Sequence, residues 1–162
     1  RAAAWAEEIE QGLAAGRARL TAAIITDPEA LRESVLPVSP APLSGLLRPV
    51  AAQAARFVAK KYGADLARTD EHIAVQRRVC LALRDALRGR AYIEGDTLGA
   101  ADVLAATYLQ MVEPVTHPRI VLLPALRRAW TAAPLVDEFA DLLAWRDALY
   151  ANARGTRAKR AA

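Results

Sequence analysis

Few side chains in this sequence combine the residue types and spacings that catalysis or metal binding requires. The two histidines, His72 and His117, lie on different segments, without carboxylates or cysteines at zinc-ligand spacing. The one cysteine, Cys80, falls on the apolar stripe of a predicted helix, where a thiol packs as a small hydrophobic group and its pKa rises. The sequence has no glycine-rich phosphate loop, no Cys-x-x-Cys pair and no Gly-x-Ser-x-Gly turn. We therefore expect no catalytic residue, cofactor-binding residue or metal ligand within this chain.

Asp102 is the carboxylate with the most informative surroundings. Gly99 stands at the cap position of a predicted helix, and Asp102 follows at the spacing that lets its carboxylate accept the backbone N–H of the cap. Leu98 and Val103 flank this pair as a hydrophobic staple. Glycine lacks the hydroxyl that Ser or Thr would supply, at a cost of only a few tenths of a kcal/mol. We predict that Asp102 is buried and has a structural rather than a catalytic role.

Length and composition indicate one helical domain. The chain has 162 residues, of which 54% are hydrophobic and 6% aromatic. Alanine and leucine dominate, which favours an all-α helical bundle over a sheet. We predict the domain over residues 1–152 and a basic, disordered tail over residues 153–162, which carries much of the net charge of +4. Because no aromatic residues alternate with these charges, nucleic acid is not an expected partner.

The sequence also predicts where the protein resides. No apolar run reaches the roughly 18 residues that cross a bilayer, and the start lacks the pattern of a signal peptide. A single cysteine cannot form an intramolecular disulfide, which is typical of a reducing compartment. We expect a cytoplasmic protein without a membrane partner. Since the first residue is Arg1 rather than Met, we expect the chain to be part of a longer protein.

Apolar spacing predicts the order of the helices. Trp5, Ile9 and Leu13 begin an amphipathic pattern over residues 2–26, which we expect Gly12 and Gly16 to loosen. Further helices are predicted over residues 28–34, 43–62, 66–88, 100–113, 120–131 and from 134 onwards, with a proline-rich loop over 37–42. The helix that starts at residue 100 is apolar on nearly every side, which predicts a position in the centre of the bundle. The charged residues of the other helices, such as Arg19 in the first and Arg146 in the last, are expected on outer faces.

This order of features resembles the C-terminal domain of glutathione transferases. The first helix carries Trp5-Ala-Glu-Glu, Tyr92 precedes the Gly95-Asp96 turn into the capping motif, and Ala144-Trp145-Arg146-Asp147 lies near the end. The resemblance implies an all-helical bundle that follows a thioredoxin-like domain. That domain supplies the glutathione site and the thiol-activating residue in the family, and nothing in this sequence resembles it.

The resemblance also implies a function. The complete protein would be a cytosolic, bacterial-type homodimer that conjugates its co-substrate glutathione to small apolar electrophiles, and this chain alone would be inactive. The helical domain would supply dimer contacts and one wall of the electrophile pocket. The candidate pocket residues are Trp5, Ile9 and Leu13 on the first helix, and Tyr108 and Met111 on the predicted helix 100–113, here called the motif helix. The alternative is that these five side chains are ordinary core.

Two functions of other classes remain open. The same fold could serve as a non-catalytic protein-interaction module, which predicts an exposed apolar or basic face without a pocket. The chain could instead be the ligand-binding and dimerisation domain of an all-helical transcriptional regulator, which predicts a helix-turn-helix upstream of Arg1.

Overall fold

The computed structural model describes residues 2–35, 57, 65–117 and 120–160. These residues form seven α-helices: α1 (Ala2–Thr26), α2 (Pro28–Val35), α3 (Thr69–Ala86), α4 (Ala100–Tyr108), α5 (Pro124–Trp130), α6 (Ala133–Val136) and α7 (Ala140–Arg160). A 3₁₀ turn, Leu66–Arg68, leads into α3, and a second one, Leu109–Met111, continues α4. The described residues contain an isolated bridge between His117 and Ile120 and no strand. The all-α class is confirmed for this part of the chain, while the predicted loop 37–42 and helix 43–62 lie outside it.

Asp27 separates the first two helices. Its Oδ1 accepts the backbone N–H groups of Glu29 at 2.9 Å and Ala30 at 3.2 Å. Pro28 takes the first helical position, where no N–H donor is needed. The predicted start of this helix at residue 28 is confirmed, and α2 ends one residue beyond the predicted range of 28–34.

Leu66, Ile73, Cys80 and Leu87 lie seven residues apart, which predicts one buried stripe on the helix over residues 66–88. The prediction is confirmed at Ile73 and Cys80 and is wrong at Leu66. Ile73 and Cys80 are buried, together with Val79 and Leu83. Leu66 is 53% exposed, because it belongs to a 3₁₀ turn with three residues per turn and therefore rotates away from the stripe. The helix ends before Gly89, which takes a φ of +69° that glycine adopts without strain.

The core lies where α1 and α3 pack against α4 and the following chain. It comprises Ile9, Ile73, Val79, Cys80, Leu83, Ile93, Ala101, Ala105, Tyr108, Leu109, Val112, Ala132, Leu135, Phe139, Leu142 and Leu143. One face of α4 nevertheless stays open, with Val103 56% exposed and Leu98 54% exposed just before the helix. The prediction that this helix is enclosed on every side is wrong for that face, since its small residues and Tyr108 contact the core from the other side.

Gly12 and Gly16 do not loosen α1, which is continuous from Ala2 to Thr26. A methyl group on Gly16 would lie 2.7 Å from Cβ of Met111, closer than side-chain contacts allow. The two glycines therefore make room for the chain of α4 and its 3₁₀ extension to approach α1.

Arg19 is buried rather than placed on an outer face, with 6% exposed. Its guanidinium donates to the backbone oxygen of Trp130 and, at 3.1 Å, to that of Met111. Longer bonds of 3.3 and 3.4 Å reach the oxygens of Ala129 and Thr131. The prediction failed because the last carbonyls of a helix, here those of α5, need donors that a periodicity pattern does not reveal.

Arg146 is buried for the same reason, with 1% exposed. It donates to the backbone oxygens of Glu113 and, at 3.1 Å, Leu109, where the 3₁₀ extension of α4 ends. Its Nε also donates to Asp147 Oδ1 at 2.9 Å. The prediction of an outward Arg146 is therefore wrong, and this side chain joins α7 to the end of the motif helix.

The last helix differs from its prediction at both ends. A short α6 comes first, and α7 begins only at Ala140. The backbone of α7 then continues through residues 153–160, where composition predicts a disordered tail. None of the helices in the described part of the chain is both long and apolar enough to cross a membrane.

Candidate functional site

A cleft of about 330 Å³ opens beside the first turns of α1. Trp5 of α1 and Ala86, the last residue of α3, form two of its walls. The loop between α3 and α4 completes it with Arg90, Ile93 and Glu94–Gly95. The cleft therefore combines apolar walls with one cationic and one anionic side chain.

Asp102 fixes the loop that lines this cleft. The carboxylate is fully buried, and its Oδ2 accepts the backbone N–H of Gly99 at 2.8 Å. Its Oδ1 accepts the N–H of Ile93, also at 2.8 Å. The predicted burial and the predicted bond to the cap are confirmed. The bond to Ile93 was not predicted, and it ties a wall of the cleft directly to the start of α4.

A second contact holds the same loop from α7. The indole N–H of Trp145 donates to the backbone oxygen of Ala91 at 2.9 Å. Gly95 has a φ of +76°, which lets the chain turn sharply between Ile93 and Leu98. The loop is thus anchored at Ala91 and Ile93, on either side of Tyr92, and it presents Arg90 and Glu94 next to Trp5.

Neither charged side chain of the cleft has a partner among the described residues. Arg90 is exposed, and its guanidinium makes no hydrogen bond or ion pair there. Glu94 is half-buried, and its Oε1 is enclosed without a donor in the same part of the structure. Buried polar atoms usually find a partner, so an enclosed carboxylate oxygen without one marks a place where a donor would stabilise the protein.

The structure brings one of the five candidate pocket residues, Trp5, to the cleft. Ile9 and Tyr108 are buried in the core, where the Tyr108 hydroxyl donates to the backbone oxygen of Gln76 at 2.6 Å. Burial raises the pKa of Tyr108 well above its usual range. Leu13 is half-buried against the core, and Met111 is half-buried against Gly16.

The remaining walls were missed by sequence reasoning. Arg90 and Glu94 belong to a loop without periodicity, so the only signals were the glycines at positions 89 and 95 that bound their segment. Ala86 and Ile93 read as ordinary apolar residues of a helix end and a turn.

Cys80 has the environment that the sequence predicts. Its thiol is buried, with Sγ 3.4 Å from the hydroxyl oxygen of Tyr108. Burial raises the pKa of Cys80 to about 11, so the thiolate that reacts as a nucleophile is scarce near neutral pH. Cys80 packs as a core residue.

Neither histidine lines the cleft. His72 is half-buried, and its Nε2 has no partner among the described residues. The ring of His117 lies 6.5 Å from that of Tyr150, centroid to centroid. No group of three or more His, Cys, Asp or Glu side chains in the described ranges is placed to hold a metal ion.

A smaller cleft of about 240 Å³ lies between the end of the motif helix and α7. Glu113, Pro114, Arg146 and Tyr150 are among its lining residues. The guanidinium of Arg146 is already engaged with backbone oxygens and with Asp147, and the Tyr150 hydroxyl accepts from Gln110 Nε2 at 3.0 Å. These two polar groups are therefore engaged within the protein. The larger cleft, here called the Trp5 cleft, contains a residue that the sequence analysis singled out, and it is taken as the candidate site.

Comparisons with known protein families, with curated proteins and with solved structures find no match to this chain.

Proposed function

We propose that this chain is the helical domain of a glutathione transferase-like protein and that the Trp5 cleft holds part of the electrophilic co-substrate. The observation that carries the proposal is the pair of bonds from Asp102 to Gly99 and Ile93. The Asp102 carboxylate caps the start of the motif helix through Gly99. Through Ile93 it also holds the loop that forms one wall of the Trp5 cleft. The capping motif at Leu98–Val103, on which the resemblance to the family is based, therefore also supports the candidate site.

The size of the cleft fits a small ligand. Its volume of about 330 Å³ falls at the lower end of the roughly 300–1,000 Å³ that ligand pockets occupy. Trp5 and Ala86 offer apolar surface, and an aromatic ring adds contact area at little cost in conformational entropy.

The thiol chemistry would come from elsewhere in the complete protein. A free thiol has a pKa of about 8.5, which must fall for fast reaction at neutral pH. Burial moves the pKa of Cys80 in the opposite direction. The proposal therefore assigns the bound glutathione and its activating residue to an upstream thioredoxin-like domain, and it includes a cytoplasmic, bacterial-type homodimer as the working form.

A non-catalytic interaction module is the second candidate, and one observation favours it. Leu98 and Val103 are both more than half exposed at the start of α4, and two apolar side chains at one helix end offer a contact surface. The same surface would also serve domain or subunit contacts in a transferase. Activity therefore decides between the two candidates.

The experiment uses the full gene product from its source cell. We expect it to bind glutathione resin and to conjugate glutathione to small electrophiles. Trp5→Ala should change the ratios of kcat/KM between electrophiles of different size by several-fold, because a pocket wall discriminates through contact area. Trp130→Ala serves as the control, since Trp130 lies on α5 and does not line the cleft.

Two results would count against the proposal. Unchanged electrophile ratios in Trp5→Ala would remove the cleft from the co-substrate site. A full-length product that neither binds the resin nor conjugates glutathione would move the function to the interaction module.

A further inference from the structure

The Trp5 cleft contains two unpaired charged residues, and a purely apolar ligand would leave both of them without a partner. Arg90 offers a guanidinium and Glu94 a carboxylate, and neither is paired within the described residues. The two lie four positions apart in a loop fixed at Ile93 by Asp102 and at Ala91 by Trp145. The backbone of the loop is therefore fixed, and the loop places two opposite charges at the cleft.

Each charge selects a different ligand group. Glu94 lines the cleft, and because its Oε1 is enclosed, a ligand reaches the carboxylate through Oε2, which has no donor among the described residues. A charged N–H donor, as in an ammonium group, stabilises such a carboxylate. An exposed guanidinium matches a carboxylate or a similar planar anion. Trp5 adds an aromatic face, which contacts apolar groups and also attracts cations.

We propose that the Trp5 cleft binds a small zwitterion, whose ammonium group pairs with Glu94, whose carboxylate pairs with Arg90 and whose apolar body lies on Trp5. The inference deepens the proposed function and rests on it for the identity of the cleft as the co-substrate site. It restricts the co-substrate to molecules that carry both charges on an apolar body, such as amino-acid-like compounds.

Direct binding tests the proposal separately from catalysis. The full gene product is titrated in a calorimeter with three ligands. L-phenylalanine carries both charges, N-acetyl-L-phenylalanine carries only the carboxylate, and L-phenylalaninamide carries only the ammonium group. We expect L-phenylalanine to bind at least about tenfold more tightly than either analogue, because each lost charge leaves one protein group unpaired.

Two variants assign each preference to its residue. Glu94→Gln should remove the preference over the N-acetyl analogue and keep the preference over the amide. Arg90→Gln should do the reverse. Arg88→Gln is the matched control: Arg88 lies in the same turn but is paired with Asp85 at 2.6 Å, and its replacement should leave all three affinities unchanged.

Three ligands of equal affinity, no measurable binding of L-phenylalanine, or affinities that neither variant alters would overturn the inference. Conjugation measured on the same preparation keeps the two proposals distinct. Zwitterion binding without conjugation would support this inference and count against the transferase, whereas conjugation of uncharged electrophiles without zwitterion binding would do the opposite.

Discussion

Gly12 of α1 lies directly against the ring of Tyr108 of α4. A methyl group placed on Gly12 would come within 2.5 Å of Tyr108 Cε2 and within about 3 Å of two further ring atoms. Tyr108 is fully buried at this point and cannot move aside without disturbing Cys80 and Gln76, to which its hydroxyl is bonded. Glycine at position 12 therefore sets how closely α1 approaches α4.

The first prediction is that Gly12→Ala destabilises the protein although alanine favours helices. Overpacking of a filled core costs roughly 1–3 kcal/mol, against a gain of about 1 kcal/mol from helix propensity. In a Tyr108→Ala background the clash is absent, and the same substitution should stabilise. Urea unfolding of the four proteins in this double-mutant cycle measures the coupling. If Gly12→Ala changes the free energy of unfolding equally in the two backgrounds, the contact between Gly12 and Tyr108 does not contribute to stability.

Helix periodicity predicted α1 and most of α3, because each buries one stripe of apolar side chains. The start of α2 was predicted from Asp27 as the cap and Pro28 at the first helical position. Periodicity failed at Arg19 and Arg146, since a pattern of polar and apolar residues assigns every arginine to the outside. Their burial follows from the carbonyl groups at the ends of other helices, which become visible only when the helices are packed.

The residues that line the cleft could also be predicted only in part from the sequence. Trp5 was a candidate through the family resemblance, which implies a pocket wall on the first helix. Arg90 and Glu94 come from an irregular loop, and their approach to Trp5 depends on how Asp102 and Trp145 fix that loop. Capping spacing identified Asp102 as an important residue and did not identify its second partner, Ile93.

A second prediction concerns Asp102. Asp102→Ala leaves the N–H groups of Ile93 and Gly99 without their acceptor, and lost bonds to a charged group cost on the order of 3 kcal/mol in total. Asp96→Ala is the control, since Asp96 is exposed in the same loop and should change the unfolding free energy by less than about 0.5 kcal/mol. If Asp102→Ala unfolds at the same urea concentration as the unaltered protein, the anchoring role is wrong.

A third prediction compares two arginines on one helix. Arg19→Lys should destabilise by roughly 2–4 kcal/mol, because one ammonium cannot reach the several carbonyl oxygens that the guanidinium satisfies. Arg17→Lys, two residues earlier, alters only a partly exposed pair with Glu10 and should change stability by about 0.5 kcal/mol or less. Thermal and urea unfolding of both variants make the comparison. Equal losses would mean that the burial of Arg19 contributes nothing specific.

The last prediction uses the pH dependence of stability at His72. Burial, assisted by the positive charges of Arg68 and Arg19, lowers the pKa of His72 from its ordinary 6.5, and this outweighs the opposite effect of Glu71 and Asp65. The unfolded chain therefore takes up a proton as the pH falls through 6.5 while the folded protein does not. The contribution of His72 to stability is constant above that range and decreases as the pH falls from 6.5 towards the lowered pKa.

Glutamine at position 72 does not titrate, so His72→Gln should reduce the slope of unfolding free energy against pH between about 7 and 5. Urea unfolding at several pH values across this window measures the slope for both proteins. A variant with the same slope as the unaltered protein would show that His72 does not cause the acid sensitivity. A steeper slope in the variant would mean that folding raises the pKa of His72, in which case the carboxylates of Glu71 and Asp65 outweigh burial at this site.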